Sequence, residues 1–276
     1  MNNNGMWAPV NGFRVLTLGG FSLIGAGGRA ATVPRGAIGR LLAYLVCRRS
    51  KPQRRDRLVE MFWPDRPLAE GRRCFRTGLW RLRRLVAAGS AEVIEIDADW
   101  VCFRTGDACW LDAQEFENIV TPFSRQHDGV ALLPEQAALL EHALELYRGD
   151  FLDGIDEPWI VAEQQRLQAM QHMAASLLLD RYESLGDEGR VLQVATGLLE
   201  QDPMFESVHR AVMRCHMRMG NRALALRQYD RCASLLHKCL RVEPMPATQQ
   251  LAAEIRGGGA PSLDPQRNSK ASSYRR

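Results

Sequence analysis

Leu185-Gly186 and Met219-Gly220 stand 34 residues apart, and each closes one apolar helix-like stretch and opens another. "RYESLGDEGRVLQVATGLLEQDP" and "HMRMGNRALALRQYDRC" therefore read as successive copies of one helix-turn-helix unit. Such a unit cannot bury its apolar face alone, so it forces the chain toward stacked helical hairpins. The apolar spacing beyond Leu111 agrees. It predicts helices over 112–121, 134–148, 158–185, 188–201, 205–219, 221–237 and 246–255, and no strand.

The first hundred residues follow different rules. "FRVLTLGGFSLIG" (13–25) is rich in β-branched and large apolar residues around a Gly-Gly break, and reads as two short strands. "GRAATV" (28–33) reads as a third, which predicts an N-terminal antiparallel sheet. Ile38, Leu41, Leu42 and Leu45 then recur at helical spacing within 34–49. "RRDRLVEMFW" (54–63) predicts a short helix stopped by Pro64, and a longer one runs from about residue 70 to 88. "AEVIEIDADWVCFRTG" (91–106) holds two β-rich runs around "DAD", which predicts a hairpin. The fold class expected is thus mainly α with a small β component.

Charge divides the chain in the same place. Residues 1–110 hold 18 Lys/Arg against 9 Asp/Glu, residues 111–256 hold 14 against 22, and residues 257–276 hold 4 against 1. A basic first part joined to an acidic remainder suggests two modules with different partners, the first suited to a polyanion. The cations concentrate in "EGRRCFRTGLWRLRR" (70–84), with six arginines in fifteen positions. On a helical wheel Arg72, Arg73, Arg76, Thr77, Trp80, Arg81, Arg83 and Arg84 share one half. Cys74, Phe75, Gly78, Leu79, Leu82, Leu85 and Val86 share the other. A merely solvated helix interleaves acids four residues away, and none follows Glu70. Arginine also replaces lysine throughout, and its planar fork suits phosphate or the guanine edge. Gly78 on the apolar half predicts close approach of a neighbouring helix.

Strand, short helix, arginine helix and hairpin come in the order of a winged helix-turn-helix. Residues 13–106 resemble the winged-helix DNA-binding domain of OmpR-type regulators, with "RRDRLVEMFWPD" similar to its positioning helix and "FRTGLWRLRRLV" to its recognition helix. Residues 111–256 resemble the bacterial transcriptional activator domain, a tetratricopeptide-like module, through "LDAQEFENIV", "ALELYRGDFLDGI" and "WIVAEQQRLQAM". Tyr182, Leu185-Gly186 and Pro203 fit the 34-residue tetratricopeptide pattern. The pairing is that of SARP-type transcriptional activators.

That resemblance implies binding to repeated sites in double-stranded promoter DNA by a pair of protomers. It also implies recruitment of RNA polymerase with its sigma subunit. Arg73, Arg76, Thr77 and Trp80 are then candidates for base edges. Arg72, Arg81, Arg83, Arg84, Arg54, Arg55 and Arg104 are candidates for phosphates or the adjacent groove. The hairpin departs from the OmpR-type pattern, since Asp97 and Asp99 at its tip repel phosphate. The remaining expectations are a flexible segment 1–12 and a disordered tail 257–276.

Nothing in the sequence points to catalysis. Phosphate-loop, nucleophile-elbow, zinc-protease and dinucleotide motifs are missing, and "GAGGR" (25–29) reads as a hairpin turn. Seven scattered cysteines without C-x-x-C argue against a disulfide framework or a zinc site, and the histidines have no ligand spacing. No cofactor is expected. The N-terminus lacks the charged and apolar segments of a secretion signal, and no apolar run is long enough for a membrane span. A cytoplasmic, non-enzymatic protein is expected. One reading from a different class stays open: a helical-repeat adaptor whose basic part holds nucleic acid without sequence preference.

Overall fold

The computed structural model describes residues 12–25, 28–86, 93–106, 109–125 and 132–258. Expectations for residues 1–11 and 259–276 lie outside them. The chain divides into two compact units, one of residues 1–127 with 138–172 and one of residues 128–137 with 173–276.

In the first unit, β1 (Phe13–Leu16), β2 (Ser22–Ile24) and β3 (Ala30–Ala31) form the expected antiparallel meander. Period-two alternation sinks Phe13 and Val15 and leaves Arg14 half-buried. Next come α1 (Ala37–Cys47), β4 (Gln53–Arg54), α2 (Arg55–Phe62), α3 (Leu68–Val86), β5 (Ile94–Ile96), β6 (Trp100–Phe103), β7 (Cys109–Leu111) and α4 (Asp112–Val120). The hairpin expected over 91–106 is β5 with β6, turning at 97–99. A second sheet has the order β4-β6-β5.

Two strands escaped the sequence pattern. β4 is a two-residue pairing, Gln53 opposite Val101 and Arg54 opposite Trp100. β7 joins the first sheet beside β1 in parallel, with Phe13 opposite Cys109 and Val15 opposite Leu111. The first sheet is therefore mixed, which corrects the purely antiparallel expectation. β7 runs straight into α4, so no turn sets it apart from the helical pattern.

The β7–α4 junction carries a buried carboxylate. Asp112 is fully buried and accepts hydrogen bonds from Thr17 N (2.8 Å), Thr17 Oγ1 (2.7 Å), Leu18 N (3.0 Å) and Ala113 N (2.8 Å). Arg148 approaches it at 3.5 Å. One side chain thereby satisfies two β1-end amides that the sheet leaves unpaired, together with the Ala113 amide in the first turn of its own helix. The Gly19-Gly20 turn lies against the Arg148–Phe151 loop, where Gly19 N donates to Asp150 O (3.1 Å) and Leu152 N to Thr17 O (2.7 Å). Gly19 has φ 87°, and a Cβ there would sit 3.0 Å from the Arg148 backbone, so only glycine fits.

Charge pairing binds the basic and acidic stretches of this unit. Arg49 is 9% exposed. It bridges Gln114 (3.0 Å), Glu117 and Glu163 (3.4 Å), and Arg166 meets Glu163 at 2.8 Å. Between residues 111 and 172, 12 acids face 3 bases, so the negative charge expected of the whole repeat region is concentrated here.

α5 (Pro134–Leu146) and α6 (Pro158–Leu185) precede α7 (Glu188–Gln201), α8 (Glu206–Arg218), α9 (Arg222–Leu240) and α10 (Pro246–Gly257). Together with α4, these bounds match the seven expected helices to within three residues at each end. In the second unit the 34-residue offset recurs in the backbone bonds. Asp187 N donates to Tyr182 O (3.0 Å), and Asn221 N to His216 O (2.7 Å). Gly186 and Gly220 both turn at positive φ, 67° and 74°. Each is the left-handed residue that ends one helix of a hairpin. Met213, Ala225, Leu251, Ala252 and Ile255 form a core between α8, α9 and α10.

Candidate nucleic-acid interface

α3 sorts its side chains as the wheel predicts. Gly71, Phe75, Gly78, Leu79, Leu82 and Val86 are buried. Arg72, Arg73, Arg76, Thr77, Trp80, Arg81, Arg83 and Arg84 are all exposed. Glu70 in the first turn and Arg83 and Arg84 in the last both suit the helix macrodipole. The buried face rests on an aromatic chain. Trp63 meets Phe75 edge-on at 6.1 Å, Phe62 meets Trp63 at 6.4 Å, and Tyr44 meets Phe62 at 5.7 Å. These contacts hold α3 against α2 and α1 and leave its arginine half outward.

Both helix glycines are contact points. A Cβ on Gly78 would lie 3.4 Å from Ile38 and 3.7 Å from Trp63, which is the close helix neighbour the sequence required. Gly71 is tighter, because its Cβ would come within 2.9 Å of Val59 Cγ1. Replacing a mid-helix glycine by alanine gains about 1 kcal/mol of helix propensity, whereas overpacking costs about 1–3 kcal/mol. Gly78→Ala is expected to be neutral or stabilising. Gly71→Ala should be less stable than Gly78→Ala by about 1–2 kcal/mol. Thermal melts of the two variants check this, and equal melting temperatures would refute the packing difference.

The cations differ in what holds them. Arg72 pairs with Asp56 of α2 at 3.0 Å, so the expectation of an arginine face without acid partners fails at this residue. The partner sits on the adjacent helix, where spacing along α3 could not reveal it. Among the described residues Arg73, Arg76 and Arg81 make no ion pair. Like charges crowd there, which costs stability until an anion arrives. Arg84 lies over the Trp80 ring at 4.8 Å, and Trp80 is 57% exposed. The indole is thus open to water while flanked by guanidinium groups.

Around α3 the other expected residues separate. Arg54 is exposed where β4 meets α2. Arg55 is half-buried. Its Nη1 donates to the carbonyls of Asp97 (3.0 Å) and Ala98 (3.2 Å), and its guanidinium lies 5.7 Å from the Phe75 ring centre. Arg55 thus ties the hairpin turn to α3. Arg104 pairs with Glu95 at 2.9 Å on the hairpin, and that bond raises its pKa further. Asp97 and Asp99 are exposed at the tip. Sequence reading passed over Arg57, exposed on α2 without an ion pair among the described residues. The run Arg54-Arg55-Asp56-Arg57 was its signal.

Two helices packed under an outward arginine helix in one unit, and helical hairpins in the other, define a class. Residues 111–256, just over half of the chain, match the model of the Bacterial transcriptional activator domain. The chain belongs to that family. The regulatory protein AfsR of Streptomyces coelicolor is 25% identical over 215 residues, covering 78% of this chain and 21% of AfsR. The chain therefore spans about a fifth of that relative's length. Mycobacterium tuberculosis EmbR, solved in complex with a low-affinity phosphopeptide, shares the fold with a TM-score of 0.70 at 19% identity. The likeness covers 92% of this chain and 66% of EmbR. No helix among the described residues is long and apolar enough to cross a membrane.

Proposed function

We propose that the chain reads promoter DNA by sequence, with residues 13–106 as a winged helix-turn-helix and α3 as the recognition helix in the major groove. The observation that carries this reading is the division of α3. Every arginine is exposed, whereas Gly71, Phe75, Gly78, Leu79, Leu82 and Val86 are buried, and the exposed large apolar residues are Trp80 and, at the helix start, Leu68. Arg73, Arg76, Thr77 and Trp80 contact base edges. Arg72, Arg81, Arg83, Arg84 and Arg54 contact phosphates, and Arg55 holds the β5–β6 wing in register with α3. Two protomers on repeated sites recruit RNA polymerase with its sigma subunit. The tetratricopeptide-like module of residues 111–256 supplies self-association or signal input.

Selection from random duplex DNA tests this, followed by titration of the winner and a scrambled control across salt. The expected result is an enriched motif bound about 10³-fold more tightly than the control, with affinity falling steeply as salt rises. Equal, salt-sensitive binding to both duplexes would sink the sequence-specific reading and favour the adaptor.

A further inference from the structure

α9 carries a second cationic surface. Arg227, Arg231, Ser234, Lys238 and Arg241 follow one another at spacings of four, three, four and three residues. That spacing draws a single stripe along a helix. All five are exposed, while Ala225, Cys232 and Leu236 are buried. At about 1.5 Å per residue the four cations span about 20 Å.

The plain structural reading is a solvated face with a capped C-terminus. Lys238 and Arg241 do suit the negative end of the helix dipole. Arg227 and Arg231 sit in mid-helix, where the dipole offers nothing, and at i,i+4 they repel. A solvated helix relieves such repulsion with interleaved acids. The only acid on α9, Asp230, faces Arg256 at 4.0 Å. Among the described residues none of the four cations makes an ion pair.

We propose that this stripe grips the phosphate backbone of duplex DNA without reading its sequence, an inference that rests on the DNA-binding function proposed above. Three of the four cations are arginine, the side chain whose fork fits phosphate. A lipid surface would need an apolar face running along the cations; Leu224 at one end of α9 and Leu240 and Val242 at the other are exposed, but the turns between them bury Ala225, Cys232 and Leu236 in the core. An acidic protein would need an apolar anchor at the centre of the stripe, where Ser234 stands instead.

The test compares the full chain with Arg227→Gln/Arg231→Gln/Lys238→Gln and with a charge-matched control, Arg190→Gln/Arg222→Gln/Arg256→Gln. Each is titrated with the selected and scrambled duplexes across salt. Each lost phosphate contact lowers the slope of log affinity against log salt by about 0.9. The stripe variant is expected to lose about 2–3 from the slope and about tenfold or more in affinity for both duplexes alike. Its preference between them should be unchanged, and the control should lose less than 1 from the slope. If the stripe variant matches the wild type or the control, the α9 assignment falls while sequence-specific binding stands. If the wild type binds neither duplex, both proposals fall together. Phosphatidylglycerol vesicles form the third arm. Vesicle binding lost in the stripe variant with DNA binding intact would overturn the assignment in favour of anionic lipid.

Discussion

Arg76→Ala is expected to weaken binding to the selected duplex about 10- to 100-fold while binding to a scrambled duplex falls far less. A bidentate contact between arginine and a guanine edge is worth about 1–3 kcal/mol of discrimination. Arg76 is fitted for such a contact because it is exposed in the middle turns of α3 and makes no ion pair among the described residues. Arg81→Ala is the comparison. A phosphate contact carries no sequence information, so its loss should weaken both duplexes alike and lower the salt slope by about 0.9. Neither substitution removes a buried group, so stability should change by less than about 0.5 kcal/mol. The decisive measurement is the ratio of the two affinities for each variant. An unchanged ratio for Arg76→Ala would remove Arg76 from the base-reading set.

Much of this was legible because it depends on period. The 3.6-residue repeat alone assigned residues 72–86 of α3 to its exposed or packed half, and the 34-residue echo located two turns whose backbone bonds coincide. What stayed illegible depends on contacts across the chain. Asp56 for Arg72, the hairpin carbonyls for Arg55, and Glu117 and Glu163 for Arg49 are partners that no local spacing encodes. β4 and β7 run without a break into α2 and α4, so no turn set these short strands apart from the helical pattern and they went unseen. The α9 stripe is a different failure. Its spacing was available in the sequence, but segment totals hid it beneath the acids of residues 111–172. The arginine helix drew notice for its density, and a stripe diluted one in four did not.

The largest effect on stability should come from Asp112→Asn. Asp112 looks conservative to replace, since the amide has the same shape. Yet both carboxylate oxygens face donors. Oδ1 accepts from Thr17 N, Thr17 Oγ1 and Ala113 N, and Oδ2 from Thr17 N and Leu18 N, with Arg148 at 3.5 Å. Whichever way the asparagine turns, its NH₂ meets backbone N–H groups in a fully buried site. Each buried donor left without an acceptor costs about 1–3 kcal/mol, so a loss of about 3 kcal/mol or more is expected. Asp112→Ala should cost a similar amount by leaving the same amides bare. Since β1, β7 and α4 meet at this point, the loss should appear as unfolding of the whole first unit and not as local fraying. Burial raises the Asp112 pKa, and the hydrogen bonds from Thr17, Leu18 and Ala113 pull it back. Urea titrations of both variants measure the loss. A variant as stable as the wild type would mean that the β1 amides find other acceptors.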